Sequence, residues 1–190
     1  YGLAETLNYH LAYQYDVDPA NRKKYEAWRD SHKPFHWYVD FYPLMSTGGF
    51  DVVVGNPPFV ENKIVKKEYW LREDLFVTED AGNLYALCME RCALSLAKSY
   101  FAMIVPNGLT GLDDAKTIRK ILIDTFTSKW FSGYAIRPTK LFEGVDQRLC
   151  IFIGGTGKTE SLQTAGYRHW NSEERDSLFS TTRYFSGVLH

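Results

Sequence analysis

The run Phe50-Asp51-Val52-Val53-Val54-Gly55-Asn56-Pro57-Pro58-Phe59 constrains this chain more than any other segment. Three consecutive β-branched residues predict a strand buried on both faces. Gly55-Asn56-Pro57-Pro58 must end it, because neither proline has an N–H to give to a ladder. The strand therefore delivers an amide, a rigid diproline and an aromatic ring to its C-terminal edge. In open α/β sheets that edge is where ligands bind.

The flanking pattern fills in the rest of the fold. Helices are expected over residues 3–15 and 20–32, followed by the aromatic-rich segment Phe35-His36-Trp37-Tyr38-Val39-Asp40-Phe41 and a turn at Ser46-Thr47-Gly48-Gly49. Residues 60–80 lack clean periodicity and read as a loop with a short helix. Leu84, Leu87, Cys88, Arg91, Cys92, Leu94 and Leu96 fall mostly on one apolar face, predicting a helix from Asn83 to Lys98. A second buried strand, Tyr100–Val105, is stopped by Pro106-Asn107-Gly108. A helix over about 113–125 then precedes strands near 130–136 and 148–154, with a fifth possible near 162–169. Strands joined by helices should be parallel, and the short connection of the last pair predicts an antiparallel hairpin. The expected class is α/β: a partial doubly wound sheet, mostly parallel, with a terminal antiparallel hairpin. Residues 1–49 read as a helical lead-in, 50–159 as the body, and 160–190 as the start of a linker or further region.

At 190 residues the chain is long enough for one domain with a real core. It has neither a run of about 20 apolar residues nor a visible signal peptide, so no membrane is expected and the expected location is cytoplasmic. It begins at Tyr1 rather than Met. A net charge of −1 gives no general electrostatic footprint for nucleic acid. Phosphate contacts would have to be local, and Lys63, Lys66 and Lys67, just after the diproline, are the candidates beside the plainer reading of a solvated loop. Cys88, Cys92 and Cys150 have no zinc-like spacing and read as buried small hydrophobes in a reducing cytosol; no metal is expected. Gly154-Gly155-Thr156-Gly157-Lys158-Thr159 imitates a phosphate-binding loop, but the required first glycine falls on Phe152.

Taken together, the chain resembles the γ-type DNA adenine-N6 methyltransferases of type IIG restriction–modification enzymes and related phage-defence methylases. The resemblance covers about residues 33–155. It rests on Pro34-Phe35-His36-Trp37, Gly48-Gly49-Phe50-Asp51, Asn56-Pro57-Pro58-Phe59, Asn83-Leu84-Tyr85, Ala102–Asn107, and Leu141-Phe142-Glu143-Gly144-Val145 leading into Arg148–Ile153. Asn-Pro-Pro-aromatic alone arises by chance in such a chain at a rate of about 10⁻³. The resemblance implies a Rossmann-like methyltransferase sheet and S-adenosylmethionine as methyl donor. The family's glycine-rich cofactor turn does not occur before residue 50, so the chain is expected to be the back half of a catalytic domain. Its expected partners are the missing N-terminal half, a target-recognition domain and double-stranded DNA.

The motif fits that chemistry. Adenine N6 is a poor nucleophile because its lone pair is delocalised into the ring. Two acceptors on its hydrogens, Asn56 Oδ1 and the Pro57 carbonyl aimed by the Pro57-Pro58 pair, would free that lone pair. An aspartate would also accept, but would add charge beside the sulfonium. A base inside a duplex must be flipped out to reach the site. Phe59 is the expected stacking partner on one face, and by resemblance Phe142 on the other. Unstacking costs a few kcal/mol and each ring returns about 1–3 kcal/mol. Asn56, Asn83 and Tyr85 are the candidate cofactor contacts, although Asn83 reads more readily as a helix cap and Tyr85 equally as core. Two other functions use the same features: methylation of a protein glutamine or an RNA base, and a non-catalytic module without the cofactor half. Alone, the 50–54 strand should present an exposed apolar edge.

Overall fold

The computed structural model describes residues 2–69 and 73–187. The chain enters through two helices packed together, α1 (Gly2–Tyr13) and α2 (Arg22–His32), which enclose a small separate cluster of Ala12, Tyr25 and Trp28. Asn21 starts α2 by accepting a hydrogen bond from the Lys24 amide at 3.2 Å. Two single-turn helices follow, α3 (Trp37–Asp40) and α4 (Tyr42–Met45). Trp37 and Phe41 meet Phe50 edge-on, at 6.0 and 5.2 Å between ring centres. The aromatic segment thus packs against the start of β1 (Phe50–Gly55).

The remaining elements are α5 (Asn62–Val65), α6 (Leu84–Arg91), β2 (Ala97–Pro106), α7 (Lys116–Thr125), β3 (Ser128–Tyr134), β4 (Leu149–Gly155), β5 (Ser161–Ala165) and β6 (Tyr184–Ser186). The strands form one six-stranded sheet in the order β1-β2-β4-β3-β5-β6. β1 and β2 are parallel, β4 is antiparallel to both β2 and β3, β3 and β5 are parallel, and β6 is reversed. The three strands expected to be parallel do share a direction. The hairpin is sharper than expected: its return strand β4 inserts between β2 and β3 and does not simply extend the sheet. The sheet is an open α/β arrangement in which β1, β2, β3 and β5 run one way, with β4 and β6 antiparallel among them.

One face of the sheet carries the core. Val53, Phe101, Met103, Val105, Cys150, Phe152 and Phe131 pack beneath Ala86 and Met89 of α6 and Ile118 and Leu122 of α7. Burial pushes the Cys150 thiol up to about 12 and that of Cys92, packed against the same core, up to about 11, as inert buried thiols should behave. On the opposite face, Trp170 and Leu178 pack on Tyr134 towards the far end of the sheet.

β1 departs from its expected burial on both faces: Val52 is 56% and Val54 73% exposed. Period-two alternation points these valines to the side of the sheet that α6 and α7 do not cover, and β1 is an edge strand. That is the exposed apolar edge expected of this strand in isolation. The helix from Asn83 also stops earlier than its apolar stripe. It widens into a π turn at Cys92–Leu96, and β2 already begins at Ala97. The strand near 162–169 ends at Ala165, and a sixth strand, invisible in the sequence pattern, pairs with it.

Gly49 explains how the widened turn meets β1. Its φ is +103°, and a Cβ there would lie 2.3 Å from the Leu96 carbonyl oxygen. Gly49→Ala therefore has to displace backbone as well as adopt a strained φ. Thermal unfolding should show destabilisation of about 2 kcal/mol or more. Gly82→Ala, also at positive φ but facing open space, should cost about 1 kcal/mol.

Candidate active site

The strand directions bring three loops to one edge. β1 and β2 end there, β3 ends there, and β4 starts there. The loop after β1 carries Asn56 to Phe59, the turn after β2 carries Asn107 and Gly108, and the β3–β4 connection carries Phe142. Asn56 is exposed, Pro57 buried, Pro58 exposed and Phe59 half-buried. Phe59 packs against the main core from this edge.

The loop after β1 is held by backbone pairing to the segment before α6. The Asn62 amide donates to the Gly82 carbonyl at 2.9 Å, the Leu84 amide donates to the Val60 carbonyl at 2.8 Å, and Glu61 bridges to Asn83 in antiparallel fashion. This short ladder fixes where Asn56 and Phe59 sit relative to α6. Asn83 caps α6, its Oδ1 accepting from the Tyr85 amide at 3.4 Å. Tyr85 is buried in the core. Burial pushes its hydroxyl upward and the nearby Arg119 guanidinium opposes that shift.

Asn83 and Tyr85 also line a cleft of about 550 Å³ with Pro106, Asn107, Gln147 and Arg148. The cleft thus collects residues from the start of α6, the end of β2 and the approach to β4. Asn56, Phe59 and Phe142 share the edge but are not walls of the cleft. Phe142 is 40% exposed. Of the lysines after the motif, Lys63 pairs with Glu61 and Lys66 with Glu79, each at 2.5 Å, and Lys67 is exposed. His36 Nε2 lies 2.8 Å from Asn8 Oδ1, and Trp37 joins the aromatic cluster. Among the described residues no group of acidic, cysteine and histidine side chains is arranged to hold a metal.

Two features of the edge escaped the sequence. Asn107 reads only as part of a strand stop, yet it lines this cleft and a second one of about 340 Å³ between α7, β3 and β5. Its Oδ1 is buried and, among the described residues, has no hydrogen-bond partner; a Cβ on Gly133 would come within 2.7 Å of it. Gly133 is what lets the amide approach β3. Arg119 holds the turn beyond, donating to the carbonyls of Leu109 at 3.0 Å and Leu112 at 2.7 Å. The Pro106-Asn107-Gly108 stop was the available signal for the first. Nothing local marks Arg119.

Comparison with known proteins places this edge in context. The model for the Eco57I restriction-modification methylase family matches residues 6–135. The chain belongs to that family. A Methanocaldococcus jannaschii protein named as a type II restriction enzyme and methyltransferase is 29% identical over 139 residues, covering 70% of this chain. The chain spans only 11% of that relative's length. Two solved structures share the fold. A nuclease-deletion mutant of the Type ISP restriction-modification enzyme LlaGI, in complex with a DNA substrate mimic, matches with a TM-score of 0.58 at 12% identity. The DrdV–DNA complex matches with a TM-score of 0.55 at 11% identity. Each match covers 78% of this chain and 18% of the other.

The cap on α6 gives a direct stability test. Asn83→Ala should lower unfolding free energy by about 1 kcal/mol in denaturant titration, while Asn83→Asp or Asn83→Ser should restore most of it.

Proposed function

We propose that this methylase chain carries the amino-group half of a DNA adenine-N6 methylation site, working with further parts of a longer protein. The observation that carries the reading is Asn56-Pro57-Pro58-Phe59 at the C-terminal edge of β1, in a chain of the restriction-modification methylase family. Asn56 Oδ1 accepts one N6 hydrogen of a flipped adenine and the Pro57 carbonyl accepts the other, its direction fixed by the locked φ of the diproline. Phe59 and Phe142 cover the faces of the base. Phe142, exposed on the same edge, is free to do so, whereas Phe59 offers only its unburied side. Positioning carries most of the burden, and no covalent intermediate is needed. Lys67, and Lys63 and Lys66 by exchanging carboxylate partners for phosphate, contact the DNA backbone.

S-adenosylmethionine supplies an electrophilic methyl group when bound. The residues present fit part of it. Asn83 commits its Oδ1 to the helix cap, which leaves its NH₂ as a donor towards a carboxylate, and the cleft beside Tyr85 is open. Asn56, Asn83 and Tyr85 would hold its methionine end. The remaining contacts fall to a preceding half-domain that pairs with the free edge of β1. Exposed Val52 and Val54 support such a neighbour. LlaGI and DrdV, both solved with DNA, support DNA as the substrate, here as a duplex.

Two measurements test the reading. In the complete methylase containing this chain, Asn56→Ala should lower kcat by about 10²–10³-fold, as loss of one positioned hydrogen-bonding group does elsewhere; unchanged turnover would refute the assignment. Calorimetric titration of S-adenosylmethionine into the 190-residue chain alone should give no measurable binding. Micromolar affinity would refute the division of the site.

A further inference from the structure

Glu90 is buried on α6 at 6% exposure, and among the described residues no cation partners it. Its carboxylate is satisfied by neutral donors twelve and thirteen residues away. Oε1 and Oε2 accept from the Val77 amide at 3.1 Å each, and Oε2 also accepts from the Thr78 amide at 3.0 Å and the Thr78 hydroxyl at 2.6 Å. Thr78 is fully buried. An apolar side chain would fill this site without the cost of desolvating a charge. The carboxylate does what an apolar group cannot: it fixes the height of residues 77 and 78 against α6 through charge-assisted hydrogen bonds.

Beyond Thr78 the chain runs straight to the partners of the motif loop. Asp80 Oδ2 accepts from the Thr117 hydroxyl on α7 at 2.6 Å. Gly82 and Leu84 then make the two backbone bonds to Asn62 and Val60 that hold the loop carrying Asn56. We propose that Glu90 is a positioning residue: by latching Val77 and Thr78 it sets the 77–84 segment and, through it, the Asn56–Phe59 loop at the edge of the sheet. The latch is a property of the fold. Its consequence for turnover rests on the methylation reading given above.

Backbone hydrogen exchange on the 190-residue chain tests the latch without substrate or cofactor, so its result does not depend on that reading. Glu90→Gln keeps the shape but turns an NH₂ towards the donors. The amides of Asn62 and Leu84 should exchange at least about tenfold faster, while those of Phe101 and Phe152 in β2 and β4 stay within about twofold. Thr78→Val should give a smaller effect in the same place, and Thr78→Ser, which keeps the hydroxyl, should match the parent. Unchanged exchange at Asn62 and Leu84, or equal acceleration at all four amides, would overturn the latch. In the complete methylase, Glu90→Gln should lower kcat at least about tenfold, with KM for S-adenosylmethionine within about threefold and Thr78→Ser at parental turnover. A fall in kcat that Thr78→Ser shares with Thr78→Val, or no fall, would overturn the positioning role.

Discussion

The arrangement depends on where β4 runs. It descends between two ascending strands, β2 and β3, and is hydrogen-bonded to both along its whole length. β3 runs in the direction of β1 and β2, so the β3–β4 connection leaves at the edge where they end, and the insertion brings the start of β4 beside the end of β2, where the Asn107 amide donates to the Arg148 carbonyl at 2.8 Å. A hairpin laid down in sequence order would put β3 beside β2 and move the start of β4, with Arg148, one strand farther from Asn107. Glycines make the insertion possible. Gly133 leaves room for the Asn107 amide, and a Cβ on Gly154 would come within 2.5 Å of the Phe126 ring.

Around that sheet, the motif loop is held by its neighbours more than by its own sequence. The diproline stops β1, but backbone pairing to residues 82–84 decides where the loop goes next. The segment leading into those residues is itself bonded to Glu90 on α6 at Thr78 and to Thr117 on α7 at Asp80. The Asn56 amide is thus the exposed end of a chain of satisfied contacts. Under the proposed function, this suits a site that holds acceptors still while an amino group loses its delocalisation.

Much of this was legible in the sequence because local chemistry enforces it. The ends of β1 and β2 follow from prolines that cannot pair, and the start of α6 from an asparagine cap before an apolar stripe. The features that stayed hidden depend on distant partners. Val52 and Val54 look like core residues, but whether a strand is covered on one face or two is decided by helices elsewhere. The apolar stripe of α6 continues to Leu96, yet Gly49 and the parallel register of β2 claim those residues first. Asn107 and Glu90 carry no periodicity at all, and only the fold shows that one joins two clefts and the other ties a loop to a helix. The local identity of Asn83 left a choice between cap and ligand contact; its Oδ1 makes the cap, and its NH₂ remains a donor for other chemistry.

If the acceptors at Asn56 and Pro57 are set for the exocyclic amino group of adenine in DNA, the reaction product carries the signature. A duplex treated with the complete methylase and S-adenosylmethionine would be digested to nucleosides and the methylated species identified by mass spectrometry. N6-methyladenine is expected, and it should be lost with Asn56→Ala. Methyl groups found on cytosine N4, on RNA or on a protein glutamine, with adenine in the duplex unmodified, would rule that assignment out.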